Sequence, residues 1–187
     1  MNRKLAPVVL IVGPTQVGKS AAIAELVSCH AYRFVPTYTT RAPRAGEIDG
    51  RDYHFITPSE FQRRIRAVQF EDWDYFLNSY GGIPSEPFIQ SNNEHTVLHV
   101  LARMALRIEE RHRQAVAVFL APKDMSLVYG RISAAFDEAA VVNARCAQAD
   151  EEMLHSVMFR QLVRIDATMS VSDVANEIHA CVNASLS

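Results

Sequence analysis

Residues 13–20, Gly13-Pro14-Thr15-Gln16-Val17-Gly18-Lys19-Ser20, fit the spacing G-x-x-x-x-G-K-[ST]. Glycines at the two ends let successive backbone N–H groups turn inward around phosphate oxygens. The lysine adds positive charge at the β/γ position, and the neighbouring hydroxyl can ligate Mg²⁺. The chemistry is the holding of a polyphosphate. Gly13, Thr15, Gln16, Val17, Gly18, Lys19 and Ser20 form the binding set, with Ser20 as the metal ligand.

A second group of residues suits a smaller anion. Arg41 and Arg44 stand three apart in Thr39-Thr40-Arg41-Ala42-Pro43-Arg44, and Pro43 stiffens the segment between them. Two guanidiniums directed into one pocket, with the hydroxyls of Tyr53 and Tyr80, match a phosphate monoester. The same residue types also suit two solvated arginines and two core tyrosines, and spacing alone leaves both readings open.

Elements must place these groups. Pro7–Val12 is a continuously apolar, β-branched run, as expected of a buried parallel strand, and Ser20–Val27 carries helix formers at helical spacing. Strand, loop and helix follow in the order of a phosphate-binding βα unit, with the positive end of the helix dipole aimed at the anion. From Phe34 to about Tyr80 Thr, Tyr, Arg, Gly and Pro crowd together, which reads as an inserted mixed α/β subdomain. Its helix is expected to open at Thr57-Pro58-Ser59-Glu60, with Thr57 as cap and Glu60 completing a capping box.

Regular α/β rhythm then returns. Strands are expected over 96–101, 115–120 (stopped by Ala121-Pro122) and 163–166. Helices are expected from the first of these strands to about Arg113, over 125–132, over 139–155, and from a capping pattern at Ser170 onward.

Composition narrows the class. A formal net charge of −2 gives no general attraction to a nucleic-acid polymer or an anionic membrane. No stretch reaches the ~18 apolar residues of a membrane span. Cys29, Cys146 and Cys181 are far apart and form no C-x-x-C pair, so reduced thiols in a cytoplasmic protein are expected rather than a disulfide framework or a zinc site.

Three segments, GPTQVGKS, TYTTRAPRAGEIDGRDYHFIT and FEDWDYFLNSYGG, resemble the guanylate kinase family, closely through residues 10–82 and more loosely through 96–180. The resemblance implies an α/β fold. A P-loop NTPase core, a parallel sheet flanked by helices, would span 1–36 and 93–187. A mixed α/β nucleoside-monophosphate-binding subdomain would span 37–92, with a short helical lid at 131–147. It also implies transfer of the ATP γ-phosphoryl to GMP with Mg²⁺. By position, Arg41, Arg44, Tyr53 and Tyr80 would grip the acceptor phosphate, and Glu47 would support the arginines. Thr37, Asp72 and Gly82 would lie at the base, and Lys19, Arg41, Arg44 and Arg145 would neutralise the transferring charge.

The chain departs from the family pattern at several of these positions. Asp72 stands for a glutamate, and Gly82 for a hydroxyl residue. His99 and Leu101 stand for acidic residues, and Met104 for a glycine. Arg131-Ile132-Ser133 replaces a Gly-Arg-Gly lid segment, so one lid arginine is missing; Arg131 is either its substitute or an ordinary helix-end charge. Ile165-Asp166-Ala167-Thr168 replaces an Asn-Asp segment at the adenine. Three functions follow: a GMP or dGMP kinase, a kinase of another small phosphorylated substrate, or a catalytically weak nucleotide- or partner-binding module. ATP and a nucleoside monophosphate are the expected partners of a monomer or homodimer.

Overall fold

In the computed structural model, which describes residues 7–76, 78–89, 94–166 and 168–185, the run Val8–Val12 forms β1 and all five residues are buried. The reason is its place at the centre of a five-stranded sheet. The order is β2 (Arg33–Phe34), β7 (Thr96–His99), β1, β8 (Ala115–Pro122) and β9 (Gln161–Ile165), with every pair parallel. Successive β1 side chains alternate between two cores. Val9 and Ile11 pack with Ile23 and Leu26 of α1 (Lys19–His30) and Ile178 and Val182 of α7 (Val171–Ser185). Val8, Leu10 and Val12 pack on the other face with Leu98, Phe119, and Met104 and Ile108 of α4 (Ala102–Arg111). Burying one such Leu or Ile contributes about 1.5–3 kcal/mol, so this sandwich anchors the loop that follows β1.

A second sheet, β4 (Tyr53–Phe55), β3 (Thr37–Thr39), β6 (Ser79–Pro84) and β5 (Phe70–Phe76), is mixed: β3 pairs parallel with β4, while β6 runs antiparallel to β3 and β5. Helix α2 (Pro58–Arg66) covers it by stacking fully buried Phe61 on Phe70 and Tyr80, with ring centroids 4.5 and 5.1 Å apart. Thr57 caps α2 through Oγ1, which accepts from the Glu60 N–H at 3.2 Å. The Glu60 side chain does not reach back as expected. It pairs with Arg63 and Arg64 at 2.7 Å, two charged partners outweighing one backbone donor.

Other boundaries differ from the sequence expectation: the last strand begins two residues early, at Gln161, and the helix expected over 125–132 runs on to Ala135. The strand expected over 96–101 ends at His99, because Leu101 turns out of the sheet to become the N-terminal cap residue of α4. Strand β8 continues through Pro122. Beyond the Val12–Phe119 pair it has a neighbour only in β9, and proline is tolerated where one side of a strand is unpaired. Helix α3 (Glu86–Ile89) is short. Helices α5 (Ser126–Ala135) and α6 (Ala139–Leu154) follow β8, and a 3-10 turn, His155–Met158, leads to β9. Ser170 and Asp173 open α7 with the expected reciprocal cap, Asp173 Oδ2 accepting from Ser170 N–H at 2.9 Å and Ser170 Oγ from Asp173 N–H at 3.1 Å.

The two sheets are tied through α4. Arg103, Arg107 and Arg111 follow one another a turn apart. Arg103 and Arg107 bind Asp74 at 2.8 and 3.3 Å, while Arg107 and Arg111 bind Asp72 at 2.8 and 3.5 Å. Among the described residues no helix is long and apolar enough to cross a membrane, and the three cysteines form no disulfide.

Candidate active site

The loop after β1 is shaped by its glycines. Gly13 has φ +140°, and a Cβ there would sit 2.4 Å from the Leu120 carbonyl oxygen, so β8 leaves no space for a side chain. Gly18, at φ +111°, delivers the chain into α1. Val17 is buried in the core and pins the loop from beneath. The Lys19 ammonium is also buried and donates to the carbonyls of Gly13 and Pro14 at 2.6 and 2.7 Å. Burial pushes its pKa down to about 8, partly opposed by the charge of Glu152. Thr15, Gln16, Gly18 and Ser20 border a cavity of about 810 Å³ that extends to Arg44, Arg131, Ile165, Asp166 and Ser170. Arg131 donates to the carbonyls of Gln16 and Val17 at 3.1 and 3.2 Å, at the rim of the loop. Asp166, at the cavity border, pairs with Lys123 at 2.8 Å; Ala167 lies outside the described residues.

Next to the loop is a cavity of about 410 Å³ between the two sheets, lined by Lys19, Thr37, Arg41, Arg44, Tyr53, Tyr80, His99 and Arg145. Arg41 is held by a two-pronged pair with Glu47, both contacts at 2.6 Å, and lies over the Tyr53 ring. Glu47 also accepts from the Arg44 N–H at 2.7 Å, fixing the turn that carries both arginines. The Arg44 guanidinium, by contrast, has no carboxylate at ion-pair distance among the described residues. Burial, then the nearby Arg41 and Arg145, lower its pKa. Three guanidiniums and an ammonium converging this way favour an anion of more than one negative charge.

His99 belongs to the same site. Its ring is partly buried and shares a 3.0 Å hydrogen bond with the Tyr53 hydroxyl through Nδ1. Burial, then Lys19, Arg41 and Arg44, push its pKa down to about 3, so it is neutral. The end of β7 therefore presents a neutral imidazole and the apolar Leu101 where a P-loop enzyme can carry negative charge.

The residues expected at the base are arranged differently. Cross-strand pairing puts Asp72 and Ile83, and Asp74 and Gly81, on the face of the second sheet toward α4. Asp72 is taken by Arg107 and Arg111 and does not line the cavity. Gly82 lines the cavity only by its backbone edge. A Cβ there would point at Phe61 and Phe70, 2.9 Å away, so a hydroxyl at 82 would enter the aromatic core. Thr37 is buried in the wall; Phe76, Ile83, Val100, Leu101 and Met104 add apolar lining, and Thr39 and Ser79 add hydroxyls.

Sequence reasoning left His99, Gln148 and Glu152 out of the site. Gln148 and Glu152 follow Arg145 at three and seven residues, so one face of α6 brings all three to the cavity, a spacing that could have been read from Arg145 onward. Arg145 Nη1 donates to Gln148 Oε1 at 3.4 Å, and the Gln148 amide donates to Glu152 Oε1 at 2.9 Å.

Comparison with known proteins agrees with this architecture. The description "Guanylate kinase" belongs to the family whose profile matches residues 4–180. The guanylate kinase of Gloeobacter violaceus is 31% identical over 153 residues, 80% of this chain and 75% of that one. That of Schizosaccharomyces pombe is 37% identical over 133 residues, 69% and 65% of the two chains. The crystal structure of guanylate kinase from Anaplasma phagocytophilum shares the fold, with a TM-score of 0.77 at 20% identity over 96% of this chain and 86% of that one. With a phosphate loop on β1, a second sheet carrying paired arginines, and a match along nearly its whole length, the chain belongs to the guanylate kinase family.

Proposed function

We propose that this protein transfers the γ-phosphoryl of ATP to the phosphate of a nucleoside monophosphate, with GMP or dGMP as acceptor. The observation that carries this reading is the convergence of Lys19, Arg41, Arg44 and Arg145 with the Tyr53 hydroxyl on one cavity beside the phosphate loop. In the reading, the backbone of Gly13–Ser20 and Lys19 hold the donor phosphates, while Arg41, Arg44, Tyr53 and Tyr80 hold the acceptor phosphate. Arg145, on α6, bridges the two. The acceptor phosphate brings its own nucleophilic oxygen, so the residues act by positioning and charge neutralisation and no protein base is needed. The neutral state of His99 fits that absence.

Mg²⁺ is the expected cofactor. The residues present fit it: the Ser20 hydroxyl is exposed to the donor cavity, and one oxygen of Glu152 is buried without a partner among the described residues. When bound, the ion neutralises charge on the donor phosphates. Each chain carries the whole residue set, so monomer and homodimer serve equally. ATP and a nucleoside monophosphate, rather than a nucleic-acid polymer or a membrane, are the partners, and the cytoplasm is where both are found.

A second reading, a kinase of another small phosphorylated substrate, is favoured by one observation. Asp72 is bound to arginines of α4 and does not line the cavity. The experiment is ADP production by the purified protein with ATP, Mg²⁺ and each nucleoside monophosphate, ribo and deoxy, beside Lys19→Ala. Turnover confined to GMP or dGMP and lost in Lys19→Ala supports the first reading. Turnover with another acceptor supports the second. No turnover with any acceptor refutes transfer to a nucleoside monophosphate.

A further inference from the structure

The carboxylates bordering the donor and acceptor cavities are not equally committed. Glu47 is bound to Arg41, Asp52 to Arg51 and Asp166 to Lys123. Glu152 differs. Its Oε1 accepts from Gln148, but Oε2 is buried and has no hydrogen-bond partner among the described residues. A buried carboxylate oxygen left unpaired is costly, and the cost is removed when a cation or its bound water arrives.

Its surroundings indicate which cation. Glu152 borders both the 410 Å³ cavity and a smaller one of about 130 Å³, and Lys19, His99 and Leu101 border both as well. The smaller cavity runs from Gly13 of the phosphate loop to His155, whose Nδ1 is also buried and without a partner among the described residues, and it has room for more than one water. Lys19 is close enough to feel the Glu152 charge but forms no ion pair with it. The end of β7 supplies no carboxylate, since His99 and Leu101 stand there. An ion with a firmly held water shell, such as Mg²⁺, is commonly held through those waters by one or two carboxylates and the substrate phosphates.

We propose that Glu152, delivered by α6 on the face that carries Arg145, is the protein's anionic anchor for the divalent cation that accompanies ATP. The proposal rests on the phosphoryl-transfer reading above. It makes α6 the source of both signs of charge at the transfer site: Arg145 toward the phosphates and Glu152 toward their counter-ion.

The test uses Mn²⁺ as probe with ADP and the full-length protein, reading free Mn²⁺ by electron paramagnetic resonance. Glu152→Gln is expected to weaken Mn²⁺ binding to the protein–ADP complex by about 10–100-fold. ADP affinity in EDTA and the melting temperature should stay near wild type. Glu152→Asp, which keeps the charge, should retain most of the Mn²⁺ affinity and serves if the glutamine variant does not fold. Unchanged Mn²⁺ affinity in Glu152→Gln overturns the proposal. So does an equal loss of ADP affinity in EDTA, which would assign Glu152 to Lys19 and the loop. Glu152-dependent Mn²⁺–ADP binding without phosphoryl transfer would sink the kinase reading and leave the anchor standing. Absence of ADP binding by the wild-type protein would overturn both.

Discussion

Tyr53 of the second sheet and His99 at the end of β7 share a 3.0 Å hydrogen bond, joining the two halves of the cleft among Lys19, Arg41 and Arg44. The imidazole pKa falls from 6.5 to about 3 on folding. As pH drops through 6.5 the unfolded chain takes up a proton that the folded protein refuses, so stability is lost between there and about 3. His99→Gln should flatten this part of the pH dependence. Urea unfolding at pH 4.5 and 7.5 measures it, and an unchanged acid slope would show that His99 is not the group responsible.

Lys19 gives the opposite end of the pH range. Its pKa of about 8 means that the loop loses its ammonium above that pH, well before an exposed lysine would. ATP affinity should be level below pH 8 and fall by up to about tenfold per unit above it. Titration of ATP binding from pH 6.5 to 9.5 tests this. A flat profile would contradict the charge assigned to Lys19.

Arg41 owes its placement to Glu47. Glu47→Gln halves the clamp without removing the guanidinium, so the expected effect is a KM for the acceptor raised by about tenfold, with a smaller change in kcat. Arg41→Ala should instead lower kcat/KM by about 10³-fold or more, the scale of an arginine on a transferring phosphoryl. Steady-state kinetics on both variants separates positioning from charge.

Gly81 and Gly82 are adjacent and face opposite ways. Gly82→Ser drives its side chain against Phe61 and Phe70 and should cost about 1–3 kcal/mol of stability. A Cβ at Gly81 meets nothing within 4 Å, so Gly81→Ser should be tolerated and bring a hydroxyl to the α4-facing side. Denaturant unfolding of the two variants decides the matter; equal stability would mean that the strand faces are wrongly assigned.

Asp72→Asn weakens the tie between β5 and α4. Its arginine partners are partly exposed, so a loss of no more than about 1 kcal/mol, smaller at high salt, is expected. Acceptor turnover should change little. A hundredfold drop in GMP kcat/KM at intact stability would show instead that Asp72 leaves Arg107 to read the base.

Much of this was legible in the chain itself. The apolar run Val8–Val12, the glycine spacing after it and the Ser170 cap are local signals, and local physics acted on them without competition. Asp72 shows where local reading stops. A residue's position in a strand gives its face only if the pairing is regular, and the register shifts between Phe70 and Asp72. Its partners lie on a helix more than thirty residues away, a relation that only the packed fold creates. His99 was equally opaque. Neutrality there comes from burial beside cations contributed by two distant segments, and no property of its own neighbours in the chain encodes that.

The phosphate loop is braced by the lysine it presents. Lys19 is tied to the carbonyls of Gly13 and Pro14, Arg131 leans on those of Gln16 and Val17, and Val17 is fixed in the core. A concave surface held in this way has no segment to fold before an anion can settle. Capture should then proceed at the pace of charge-guided encounter, fastest in dilute buffer and slowing as salt is added.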